Sequence, residues 1–136
     1  MGLRVTPLEA IQRLADTGGR LRSVTAHDFH GDPRLTSHLV LSFEAGQLIL
    51  STSAEDDSIL ISIDQPSMTD CAPRIASLWN PALGRTLLWG WILTNHQGYV
   101  DGARFDFRNT VADSPLIIEV LVVASMLHTV VVPGAA

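Results

Sequence analysis

The stretch Gly84–Phe107, GRTLLWGWILTNHQGYVDGARFDF, constrains the fold more than any other part of the chain. Leu87, Trp89, Trp91 and Leu93 alternate with Leu88, Gly90, Ile92 and Thr94, the period of two that a β-strand imposes. Tyr99, Asp101, Ala103, Phe105 and Phe107 alternate in the same way with Val100, Gly102, Arg104 and Asp106. Between the two runs, His96-Gln97-Gly98 fits a three-residue hairpin loop with Gly98 in the left-handed position. This register opposes Asn95 to Tyr99, Leu93 to Asp101, Trp91 to Ala103, Trp89 to Phe105 and Leu87 to Phe107. It gathers the aromatic side chains on one face and makes Trp89 a core residue. A slip of one residue would exchange the faces of one strand.

The rest of the chain supplies a helix and further strands. Thr6-Pro7-Leu8-Glu9 is a compact helix start: a capping threonine, a proline at the first helical position and a glutamate that completes a capping box. Leu8, Ile11, Leu14 and Ala15 form one apolar stripe, and Gly18-Gly19 ends the helix. Strands are expected at 21–26, 38–43, 48–53 and 58–63, with a polar loop over 27–36 and turns at 44–47 and 54–57. The residues at 75–79 suit a short helical turn. The last apolar segment, 116–132, fits either one bent strand or a short helix followed by a strand. The expected class is α+β: one N-terminal helix packed on an antiparallel β-meander of about six or seven strands, an estimate from the counted alternations.

A length of 136 residues suits a single domain, 1–136, with a real core. Apolar residues make up 46% and charged residues only 17%, so little charge is available to cover the surface. That favours a buried self-association surface, and a homodimer is expected through the last strand or the hairpin face. The net charge is −5, every basic residue is arginine, and no basic stripe is present. Nucleic acid is therefore not an expected partner, whereas a basic protein suits the charge. The absence of lysine removes Schiff-base and P-loop lysine chemistry. A single cysteine, Cys71, suits a reducing cytoplasm, and no signal peptide is expected. The run at 116–132 is short for a membrane span, carries Glu119 and His128, and is rich in β-branched residues, so it is expected to be buried strand.

Few residues point to chemistry. His27 and His30, with Asp28 or Asp32, have the composition of a cation-binding loop and equally of a solvated turn; no metal and no cofactor is assigned. Glu55-Asp56-Asp57 is an acidic turn able to meet a basic partner or simply to guard a strand end. Asp101 shares the aromatic face with Tyr99 and Trp91, either as a base with a raised pKa or as a tip residue bonded to Asn95 or to turn amides. Trp79, Trp89 and Trp91 suit core, a ligand wall or a partner anchor. Cys71 would need a histidine nearby in space to act as a nucleophile. No nucleophile elbow, glycine-rich phosphate loop or C-x-x-C pair is present.

Gly84-Arg85, Trp89-x-Trp91, Asn95-x-x-Gly98-Tyr99 and Asp101-Gly102, after a strand led by Asp56-Asp57, resemble small uncharacterised bacterial sheet-rich proteins from genomes with many toxin–immunity and secretion loci. The resemblance covers residues 55–108. It implies a bacterial cytoplasmic protein and supplies no catalytic residues. The leading expectation is a non-enzymatic protein-binding module, with an immunity-like role as its narrower form, whose partner surface includes Trp91, Asn95, Tyr99, Asp101, Glu55, Asp56 and Asp57. The alternative is a small-ligand-binding protein or enzyme with a pocket near Asp101, Tyr99 and Trp91.

Overall fold

The structure, a computed structural model, describes residues 5–133 except 54, 56, 65–67 and 69. Among the described residues one helix precedes nine strands: α1 (Pro7–Thr17), β1 (Leu21–Phe29), β2 (Thr36–Phe43), β3 (Gly46–Ser53), β4 (Ser58–Ser62), β5 (Cys71–Ile75), β6 (Thr86–Thr94), β7 (Val100–Arg108), β8 (Leu116–Val123) and β9 (Met126–Val132). A short 3-10 helix, Ser77–Ala82, separates β5 from β6. The class is α+β, as the sequence patterns imply. The strands exceed the expected six or seven and divide into two antiparallel sheets, ordered β4-β3-β2-β1-β5 and β6-β7-β8-β9.

Local chemistry explains the starts and stops. Thr6 Oγ1 accepts a hydrogen bond from Glu9 N (3.2 Å), the cap read from the sequence, and donates to Glu9 Oε1 (3.0 Å), so the glutamate returns to the threonine hydroxyl rather than to its backbone N–H. Ala10, Ile11 and Leu14 form the buried stripe of α1, while Leu8 points to solvent. The segment 116–132 is neither one bent strand nor a helix. It is a hairpin, reversing at Ala124 and Ser125, both with positive φ.

The inner faces of the two sheets share one core. β4 packs over β7 and β8, and β2 and β3 pack over β9. Leu39, Leu41, Leu48, Leu50 and Ile61 of the first sheet meet Phe105, Phe107, Ile118 and Val120 of the second. α1 fills one side, against β6, β3 and β4. The 3-10 helix fills another, against β1, β8 and β9. Its Trp79 is 1% exposed and meets Phe107 edge-on, with ring centroids 6.0 Å apart.

The hairpin register is right at both ends and shifted in the middle. Leu87 pairs with Phe107, and Asn95 N donates to Tyr99 O at 2.9 Å, both as expected. Between them Trp89 faces Asp106, Gly90 faces Phe105, Trp91 faces Arg104 and Ile92 faces Ala103. One bulge adds Leu88 to β6; a second adds Asp101 to β7; the two cancel. The expected Trp89–Phe105, Trp91–Ala103 and Leu93–Asp101 pairs are therefore absent. Packing supplies the reason. Phe105 must face the core, and the residue beside it lies under α1. A Cβ on Gly90 would stand 2.4 Å from Ile11 Cγ2, so only glycine admits the helix so closely. With Gly90 inward, Trp89 and Trp91 turn outward.

β1 also runs further than expected, through His27 and Asp28 to Phe29. The polar residues there are strand, not loop, because Asp28 continues the inward alternation of Val24 and Ala26. Asp28 is 1% exposed; it accepts from Arg74 Nε (2.7 Å), Arg74 Nη2 (3.3 Å) and Thr36 Oγ1 (2.7 Å), which is how a carboxylate can be buried between sheets.

Candidate functional site

The second sheet presents an uncovered outer face built row by row across its strands. Trp89, Asp106, Ile117 and Val132 form one row; Trp91, Arg104, Glu119 and Val130 the next; Leu93, Gly102, Leu121 and His128 the third. Trp89 is 53% exposed and Trp91 41% at one edge of the sheet, and Val130 is exposed at the opposite edge. Trp89 is thus a surface residue, against the expectation of core. Two indoles held on a paired β-strand lose little further freedom on contact, which suits them as anchors for a partner.

Charge within this face is paired internally. Arg104 Nη2 donates to Glu119 Oε2 at 3.2 Å in the central row, while the buried Arg104 Nε meets no acceptor among the described residues. Asp106, buried within Trp89's row, accepts from Arg108 Nη2 (2.8 Å) and Nε (3.1 Å). Arg108 also donates to Val111 O (2.9 Å), which pins the loop after β7. Asp106 beside it raises the Arg108 pKa further above its ordinary value.

The hairpin tip closes one end of this face. Asn95 Oδ1 accepts from Gln97 N (2.9 Å) and Tyr99 N (3.2 Å), and Gly98 has φ +88°. The three-residue loop with a left-handed glycine is as the sequence indicates. Tyr99 is exposed, and the half-buried Asp101 sits at the bulge with Asn95 Nδ2 3.3 Å from its Oδ2. Of the two readings of Asp101, this is the tip residue bonded to Asn95. Gly102 opposite Leu121 sets the hairpin tip and the β8–β9 turn at the same end of the sheet. Asp57 joins that end: its Oδ1 accepts from Ser125 Oγ at 2.6 Å. Glu55 is exposed nearby in sequence, and Asp56 lies outside the described residues.

The His27–Asp32 ligand set is not assembled. Asp28 points inward to Arg74, whereas His27 pairs with His38 on the opposite face of the sheet. Asp32 is held by Arg34 (2.8 Å), whose hydrogen bonds lower its pKa to about 2. Among the described residues, no three His, Cys, Asp or Glu side chains converge as metal ligands. Cys71 does have a histidine in reach: Ser37 Oγ lies 3.2 Å from Cys71 Sγ and 2.7 Å from His38 Nδ1, so a hydroxyl separates thiol from imidazole. The sequence reading missed the buried Asp28–Arg74 and Asp106–Arg108 pairs. Asp28 continues the apolar alternation of Val24 and Ala26, a signal that could have marked it for burial with a partner, whereas Asp106 lies in the polar alternation with Arg104 and Arg108 and carries no such signal.

No helix is long and apolar enough to cross a membrane among the described residues. No curated protein matches the chain, and no solved structure matches it. The model of a family of unknown function, DUF6334, matches residues 9–134, so the chain belongs to that family.

Proposed function

We propose that the protein is a non-enzymatic binding module whose working surface is the outer face of the second sheet and the end formed by the hairpin tip. The observation that carries this reading is the pair Trp89 and Trp91, 53% and 41% exposed on one face of a paired strand. The face suits a second copy of itself. Its central row holds one cation and one anion, Arg104 and Glu119, side by side. A two-fold axis through such a row sets each charge against its opposite. A stable dimer needs about 800 Å² from each partner, near a tenth of the 7860 Å² of accessible surface.

The acidic turn at Glu55 and Asp57, with a chain charge of −5, then serves a basic protein, as an immunity-like inhibitor would. Light scattering at micromolar concentration tests the self-association. Twice 14.7 kDa is expected for the native chain, and a monomer for the variant carrying Trp89→Ser and Trp91→Ser. A clean native monomer would remove the dimer. For the partner, a photo-crosslinker at position 55 in producing cells should capture a discrete basic protein. Loss of that adduct in Asp57→Arg supports the acidic turn as the contact; an unchanged adduct contradicts it.

A further inference from the structure

A cavity of about 250 Å³ opens between the first sheet, the 3-10 helix and β9, away from the exposed indoles. Thr36, Leu39, Arg74, Ser77, Trp79 and Thr129 contribute to its lining. Its floor is rigid and apolar, since Leu39 and Trp79 belong to the core and Trp79 is locked against Phe107.

One wall carries donors that the fold does not use. Arg74 spends Nε and one Nη2 hydrogen on the buried Asp28, and Nη2 also lies 3.4 Å from Thr36 Oγ1. Nothing among the described residues accepts from its Nη1, and no side-chain hydrogen bond engages the hydroxyl of Ser77 or Thr129. The guanidinium is thus fixed in place by the pair with Asp28 and still offers free N–H groups. Its charge is already balanced by that carboxylate. An anion bound here would meet no unpaired arginine, only the exposed imidazole of His128, and would sit against a partly buried ion pair in a chain of net charge −5. A neutral acceptor carries no such cost.

We propose that this cavity is a binding site for a small uncharged ligand with a carbonyl or amide oxygen. The oxygen accepts from Arg74, and the apolar body fills the space against Leu39 and Trp79. Its size sets an upper bound, because sites for drug-sized molecules begin at about 300 Å³.

Benzamide and benzoate test the proposal as probes that share a ring and differ in charge. In ¹⁵N-resolved NMR titrations of the full chain, benzamide should shift the Trp79 indole N–H and the amides of Ser77 and Thr129 saturably. Affinity should be millimolar, in keeping with so few atoms. Benzoate should bind about tenfold more weakly. Arg74→Ala would strand the buried Asp28 and confuse binding with unfolding. Ser77→Phe instead places bulk at an exposed rim position and leaves the ion pair intact; it should abolish the benzamide shifts. The proposal is overturned by the absence of saturable shifts, by benzoate binding as tightly as benzamide, or by shifts that persist in Ser77→Phe.

Discussion

The outer faces of the two sheets both carry apolar side chains, and the most prominent of these end in opposite states. On the first sheet, Ile49 is fully buried although it points away from the second sheet, and Val40 beside it is buried too. On the second sheet, Trp89 and Trp91 stand in solvent. Connectivity accounts for the difference. β4 and β5 lie at opposite edges of the first sheet. Just past β4 the chain bonds back to β3, where Gln47 Nε2 donates to Ile63 O at 3.4 Å. The second sheet follows sequence order strand by strand, and its hairpin connections stay at the ends. Period-two alternation tells which residues share a face; the connections decide whether that face is dry.

The largest effect should come from the aromatic that the core does enclose. Trp79→Ala should cost about 3–5 kcal/mol in urea melts, the range for a buried aromatic truncation. A loss below about 1 kcal/mol would place Trp79 outside the core. Next is Gly90→Val. The added carbons meet Ile11, so about 1–3 kcal/mol should be lost as α1 is pushed from β6. A neutral result would mean that Gly90 does not face the helix.

A smaller effect should appear with pH on the first sheet's covered face. Burial, and then the neighbouring His27, lower the His38 pKa from its ordinary 6.5. In that window the unfolded chain binds the proton and the folded chain resists it, so stability rises with pH. The contribution is complete above 6.5 and is lost as pH falls below that value. Melts at descending pH should therefore show a stability loss that His38→Gln reduces. An unchanged pH slope in the variant would argue that the face is wet. The smallest effect belongs to the open face: Trp89→Ala should cost less than about 1 kcal/mol at dilutions where the chain is monomeric.

The hairpin shows how far the sequence could be read. Asn95, Gly98 and the Leu87–Phe107 pair were legible because turn chemistry and alternation are local. The bulges at Leu88 and Asp101 were not. They arise because Phe105 needs the core while α1, distant in sequence, needs a glycine beneath Ile11. The helix cap was legible for the same local reason that the turn was. Asp28 was read as loop because its partner, Arg74, lies 46 residues away and reaches it only when β1 and β5 pair. Of the candidate surface, Trp91, Tyr99, Asn95 and Asp101 could be named from the hairpin pattern. Trp89 could not, since its exposure depends on the shifted register.

That register is the central claim, and cross-strand backbone NOEs read it directly. Gly90 should show contacts to Phe105, Ile92 to Ala103, and the Ile11 methyl groups to the Gly90 α-protons. Cross-strand contacts pairing Trp89 with Phe105 and Trp91 with Ala103 would contradict it, and would return both indoles to the core.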